Sequence, residues 1–599
     1  MAMARDSAAL KNLPAWDLSA LYPSIDADEV GVDLDRALKD AQSFEAATKG
    51  KVDALLAKSG SKLAAAIAEY EAIKELTGRL YSFAGLVYSE NTTDPVRAKF
   101  FGDIQEKLTT VSTHLVFFTL ELTHLSDEAL EAGYKDTALA YYKPWITDTL
   151  RQKPYQLDDK LEQLFHEKSV TGRAAWNRLF DETIASLRFD VGGKSLALEP
   201  ALSLLMDPDA KKRKAAALAV GEVLGNELRT FTLITNVLAK DKEISDRWRG
   251  FADVADSRHL ANRVEGEVVE ALVSSVRSSF PRLSHRYYAM KAKWMGQDKL
   301  DYWDRNAPLP DVDKALVDWK EAEQVVLDAY ARFSPEMASI GKRFFDENWI
   351  DAPSREGKSP GAFSHPTVPS AHPYILMNYQ GRTRDVMTLA HELGHGVHQV
   401  LAGKQGALMA QTPLTLAETA SVFGEMLTFR SVLDNTSDPL QRKSLLAGKV
   451  EDMLNTVVRQ IAFYTFERKV HEARRQGELT ADELCDLWLS VQHESLGDAV
   501  RFDDTYRPFW TYIGHFIHSP FYVYAYAFGD CLVNALYARY EDAHEGFTEH
   551  YLDLLRAGGS KPYDELLVPF GLDAKDPNFW QAGLNVISGF IDELEAIDV

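Results

Sequence analysis

The sequence predicts a mainly α-helical protein, large enough for two lobes, with one small β-sheet set directly before a histidine-bearing helix. Three observations predict it. Helix formers such as Ala, Leu, Glu and Lys fill long stretches without Pro or Gly, among them 62–77 and 103–125, and helix-favouring runs recur at 209–230, 313–333, 442–476 and 525–540. The main break, 351–378, clusters Pro, Gly and Ser in a way that excludes regular helix, and it runs into Y-I-L-M-N-Y at 374–379, an apolar stretch between Pro373 and Gly381 that reads as a strand. At 599 residues the chain exceeds the size at which one hydrophobic core keeps growing.

Composition narrows the function classes. The chain is 46% apolar, 26% charged and 11% aromatic, as an ordered globular protein is. Its 66 basic and 89 acidic residues leave a net charge of −23, and no Lys/Arg block is long enough to track a phosphate backbone, so nucleic acid is excluded as a partner. Only Cys485 and Cys531 are present, which is no disulfide framework and fits a reducing compartment. No apolar run reaches membrane-spanning length and the N-terminus lacks a continuous apolar segment, so we expect a cytoplasmic protein without a membrane partner.

Three of the sixteen histidines fall within eight positions, in T-L-A-H-E-L-G-H-G-V-H-Q-V-L at 388–401. Thr383 or Asp385 can cap the start of a helix here and Gly403 can end it. Val386, Leu389, Leu393, Val397 and Val400 recur at helical spacing as an apolar stripe, while His391, His395 and His398 gather within roughly 60° on the opposite side. Gly394 and Gly396 each cost about 1 kcal/mol of helix stability relative to alanine, which implies that something packs closely against this helix. The i, i+4 spacing of His391 and His395 lets both imidazoles reach one tetrahedral zinc, with Glu392 on the flank where an attacking water would sit.

A catalytic zinc takes three protein ligands, so one is missing from the stretch. A histidine six residues after the second one is a known solution, but that position is Leu401. His398 lies a turn beyond the convergent pair and suits a supporting or substrate-facing role better than a ligand's. In L-T-L-A-E-T-A-S-V-F-G-E-M-L downstream, Glu418 and Glu425 stand seven residues apart on one helix face; either could reach the metal, and spacing does not choose between them.

At this point the sequence resembles the thimet-oligopeptidase-like zinc metallopeptidases, most closely their oligoendopeptidase F branch. The resemblance is carried in order by W-D-L-S-A-L-Y-P-S at 16–24, E-K-S-V-T-G-R-A-A-W-N-R-L-F-D-E at 167–182, G-A-F-S-H at 361–365, P-Y-I-L-M-N-Y-Q-G at 373–381, H-E-L-G-H-G-V-H, A-E-T-A-S, and H-F-I-H-S-P-F-Y-V-Y-A-Y-A-F-G at 515–529. It implies that Glu418 is the third zinc ligand and that Glu425 holds a ligating histidine in its tautomer. It also implies a two-lobed helical molecule with a deep central substrate channel, which we divide into an N-terminal helical domain over 1–190 and a catalytic domain over 191–599.

The expected reaction is hydrolysis of internal bonds in short oligopeptides by zinc-activated water, with Glu392 as general base and then general acid. Histidine and tyrosine residues of the 515–526 run are implied to bind substrate and stabilise the oxyanion: His515 and Tyr526 first, then His518 and Tyr522, with Tyr524 also available. The thimet branch has a glycine-rich loop between its histidine and tyrosines, whereas this chain has H-S-P-F, so the alignment there can shift by a residue. Two rivals stand beside this reading: a dipeptidyl carboxypeptidase on the same scaffold, and a non-catalytic peptide-binding protein that keeps zinc for structure. The ligand types alone would also accept cobalt or manganese.

Overall fold

A computed structural model of the protein describes residues 12–309, 316–543 and 545–597. Helix dominates throughout, and the strands are few and short. The chain divides into two compact units: one comprises 1–153, 314–435 and 543–571, and the other 154–313, 436–542 and 572–599. Both are discontinuous, whereas the expected 1–190 and 191–599 division follows chain order.

The first unit opens with helices Asp28–Thr48, Val52–Lys58, Gly60–Glu90 and Pro95–Thr113. Their ends are written in the sequence. Ser59 accepts from the Lys62 N–H, and Asp94 accepts from Val96 ahead of a proline at the first helical position. Phe44, Tyr70, Phe117 and Phe118 pack edge-on and tilted at the centre, with centroids 5.0 to 6.2 Å apart. The helical run at 103–125 is interrupted at His114 and Leu115, where the His114 Nδ1 meets Glu45 at 2.6 Å.

The same unit carries a three-stranded sheet. Tyr374–Tyr379 is central, parallel to Ile350–Pro353 and antiparallel to Phe363–His365, with Leu376 opposite both Asp351 and Phe363. Tyr374, Ile375, Leu376 and Met377 are all buried, so both faces of the strand are covered and the run is continuously apolar instead of alternating. The sheet lies beside helix Thr383–Ala402, tied to it by Ser364 Oγ donating to Gln399 Oε1 at 2.9 Å and Gln399 Nε2 donating to Ser364 O at 3.1 Å.

The second unit is built on helices that include Arg173–Ser186, Leu228–Arg249, Val458–Gln476, Tyr524–Glu541 and Pro577–Glu595. The 209–230 and 442–476 runs each split in two, at Glu227 and Val457. Cys485 and Cys531 are free and buried, and burial pushes both thiols up. Among the described residues no helix is long and apolar enough to cross a membrane.

Candidate metal centre and active-site residues

The histidine helix runs Thr383–Ala402. Asp385 secures its start by accepting from the N–H groups of Gln380 and Arg382 at 2.9 Å each. Val386, Leu389, Leu393 and Val397 are buried as the stripe requires, and Val400 is half-buried. The two glycines face two different neighbours. A Cβ on Gly394 would stand 2.4 Å from the Ala420 carbonyl oxygen, and one on Gly396 would stand 2.4 Å from the Phe344 ring. Helix Thr419–Asn435 therefore packs backbone against backbone at Gly394, and that approach carries Glu418, just ahead of it, to the histidines.

The Nε2 atoms of His391 and His395 each lie 3.4 Å from Glu418 Oε2. The donor atoms of these three residues fall within 4.8 Å of one another. Glu425 lies on the other edge of the first imidazole, with its Oε2 3.1 Å from His391 Nδ1. A carboxylate there favours the proton on Nδ1 and leaves the Nε2 lone pair aimed at the cluster. Ser421 Oγ donates to Glu418 Oε2 at 2.6 Å, steadying that carboxylate. Two imidazoles and one carboxylate, with a second carboxylate orienting one ring, are the donor set of an open, three-ligand metal site, and these residues fit a zinc ion.

Electrostatics follow from the crowding. Burial opposes a charged His391, but the hydrogen-bonded carboxylates of Glu418 and Glu425 outweigh it and raise the imidazole. Burial likewise opposes an ionised Glu418, and the two histidines overcome it and hold that carboxyl below the usual range. Glu392, between the histidines in sequence, is buried, and burial raises its carboxyl against the lowering effect of His391 and His395.

His398 is 3% exposed and turns to Thr412, whose Oγ1 is 3.2 Å from its Nε2, while burial pushes the imidazole down to about 3. It stands outside the three-residue cluster. A cavity of about 830 Å³ opens beside His395 and is walled by Trp349, Val368, His372, Gln411 and Thr412. Part of its wall is thus the Pro-rich segment ahead of the strand.

The remaining predicted residues belong to the second unit. His515 Nε2 is 3.2 Å from the Tyr526 hydroxyl, and the rings of His515, Tyr522 and Tyr526 gather with centroids 5.4 to 6.1 Å apart. Burial, with Arg459 and His518 nearby, lowers His515. His518 turns elsewhere: its Nε2 meets Asp181 at 2.8 Å. Tyr524 is fully buried, its hydroxyl held by Asn262 at 2.9 Å and His259 at 3.1 Å. In the intervening S-P-F, Phe521 adopts a φ of +61°, a left-handed conformation that costs a residue with a Cβ roughly 1–2 kcal/mol.

Two tyrosines of the first unit had no signal in the sequence. Tyr330 donates to the Ala390 carbonyl at 2.6 Å and Tyr551 to the Thr419 carbonyl at 2.9 Å, pinning the backbone next to His391 and next to Glu418. They lie 60 and 132 residues from the carbonyls they hold, too far for any local pattern to connect them.

A mainly α fold carrying a two-histidine, one-carboxylate cluster defines the class of helical metallopeptidases, and comparison with known proteins agrees. Residues 203–586 match the model of peptidase family M3, and residues 121–189 match that of oligopeptidase F. Oligopeptidase PepF of Bacillus subtilis is 26% identical over 605 residues, covering 99% of this chain and 88% of its own. The chromosomal oligoendopeptidase F of Lactococcus lactis subsp. cremoris is 25% identical over 607 residues, covering 97% of each. Among solved structures, oligoendopeptidase-F from Enterococcus faecium aligns with a TM-score of 0.70 at 22% identity, over 95% of this chain and 98% of that one. A Chlamydophila abortus structure aligns with a TM-score of 0.86 at 24% identity, over 98% of both. The chain belongs to peptidase family M3 and is a metalloendopeptidase.

Proposed function

We propose that the protein cleaves internal peptide bonds of short oligopeptides with a zinc ion held by His391, His395 and Glu418. The observation that carries this reading is the convergence of both Nε2 atoms on one oxygen of Glu418. When bound there, zinc supplies Lewis-acid chemistry, acidifying water and polarising a carbonyl. Glu425 keeps His391 presenting Nε2 by accepting from Nδ1.

Glu392 takes a proton from the attacking water and returns it to the departing amine. Its burial suits the task, because a carboxyl raised above its ordinary value is a stronger base toward the water's proton. His515 and Tyr526, which already share a hydrogen bond, donate to the oxyanion as it forms, and Tyr522 stacks beside them. His518, committed to Asp181, serves the segment's conformation. The two buried, unpaired cysteines suit the reducing environment of the cytoplasm.

Mass spectrometry of a mixed peptide library, some members blocked at both ends, digested with and without chelator, tests the reading. We expect cuts at internal bonds that stop with chelation and return with zinc. Cuts confined to bonds next to a free terminus, or turnover indifferent to chelator, would overturn it.

A further inference from the structure

The segment from His515 to Tyr526 is gripped along its main chain by two arginines and a buried glutamic acid from three helices of its own unit. Arg173 donates to the His518 carbonyl at 2.6 Å, Arg258 donates to the Pro520 carbonyl at 3.0 Å, and Glu467 accepts from the Phe521 N–H at 2.8 Å. Phe521 is the residue at φ +61°, and it is fully buried. Its ring is enclosed by His471 at 4.8 Å, Tyr464 at 6.0 Å and the Lys242 ammonium at 5.5 Å.

A turn of this shape ordinarily takes glycine, which adopts it without steric cost but leaves the chain loose. Here the ring locks the turn into the core and the Glu467 carboxyl holds its one amide. Glu467 is 2% exposed and uses a single oxygen for this bond; Oε2 is buried without a hydrogen-bond partner among the described residues. A buried acid spent on one loop amide is a costly way to cap a turn, and that cost is understandable if the turn's position matters. Arg258 also lies 5.6 Å from the Tyr522 ring, so the same grip reaches a tyrosine of the cluster.

We infer that Glu467 and Phe521 form a latch that positions His515, Tyr522 and Tyr526 for catalysis, in place of a flexible glycine turn. This rests on the reading that His515 and Tyr526 act on the substrate. Glu467 and Phe521 are positioning residues: they touch the segment and not the substrate. Their removal therefore lowers kcat through the cluster and leaves metal binding alone.

The test measures kcat, KM, zinc content and thermal melting for Glu467→Leu, Glu467→Gln, Phe521→Gly, Tyr526→Phe and His515→Gln, and for the double variant of Glu467→Leu with Tyr526→Phe. We expect folded, zinc-loaded Glu467→Leu and Phe521→Gly to lose roughly 10-fold or more in kcat with KM within about 3-fold. Glu467→Gln, which keeps an acceptor for the Phe521 amide, should recover most of that loss. In the Tyr526→Phe background Glu467→Leu should add little, because both act on one step. If Glu467→Leu does not fold, Phe521→Gly, which satisfies the backbone, carries the same comparison. Wild-type kcat in the latch variants, or losses that multiply in the double variant, would overturn the latch while leaving the cluster's role intact. Wild-type kcat for Tyr526→Phe and for His515→Gln would instead overturn the reading beneath it, and the latch with it.

Discussion

His391 Nδ1 and Glu425 Oε2 stand 3.1 Å apart, and this contact distinguishes the two carboxylates that the sequence places on one helix face. Glu418 meets the Nε2 atoms of both histidines, whereas Glu425 meets the far nitrogen of one. Glu425→Ala should therefore keep the three donors and weaken zinc by about 10- to 100-fold. Competition against a chelator of known affinity measures it; an unchanged affinity would remove Glu425 from the site.

Glu392→Gln should bind zinc as the wild type does and lose turnover by roughly 10²-fold or more. Elemental analysis beside kcat on a blocked peptide checks this. Normal hydrolysis by the zinc-loaded variant would sink the proton-shuttle role.

Gly394→Ala puts a methyl 2.4 Å from the Ala420 carbonyl oxygen and 2.7 Å from Ser421 Cα, both backbone atoms that cannot swing aside. The gain in helix propensity of about 1 kcal/mol is outweighed by overpacking of about 1–3 kcal/mol. A lower melting temperature is expected together with weaker zinc binding, since the displaced segment carries Glu418. A variant that melts higher and binds zinc normally would show that the two helices separate freely.

Burial pushes the Glu467 carboxyl up to about 8, with Arg258, Lys242 and the Phe521 amide pulling the other way and His471 one turn along the same helix. Unfolding returns it to about 4.3. Between those values the folded chain keeps a proton that the unfolded chain has released, so the stability this group contributes is complete below about pH 4.3 and falls as pH rises, levelling off above about 8. Relative to Glu467→Gln, wild-type stability should decline across that window by up to ~1.4 kcal/mol per pH unit. Denaturant midpoints of both proteins at several pH values measure it, and parallel curves would place the titration elsewhere.

Contiguous patterns were legible and folded contacts were not. The strand at Tyr374–Tyr379 and the helix Thr383–Ala402 stand where their flanking Pro, Gly and capping residues put them. The long helical runs were read through their interruptions at His114, Glu227 and Val457, because nothing in their propensity marks a break. His398 shows the same limit. Periodicity sets it on the side of His391 and His395, yet the folded chain buries it against Thr412, a residue of the following loop.

That two histidines four residues apart share a helical face with a glutamate between them, and that two glycines leave that helix open to close approach, can be read from the order of residues alone. These follow from the geometry of a single helix, in which position along the chain sets direction in space. What approaches is settled by the folded packing. The Thr419–Asn435 backbone comes in at Gly394, brings Glu418 to both Nε2 atoms and sets Glu425 behind His391, while Tyr330 and Tyr551 hold the two segments in place. Such a choice depends on how separate surfaces pack, and close packing selects one arrangement among those the local pattern permits.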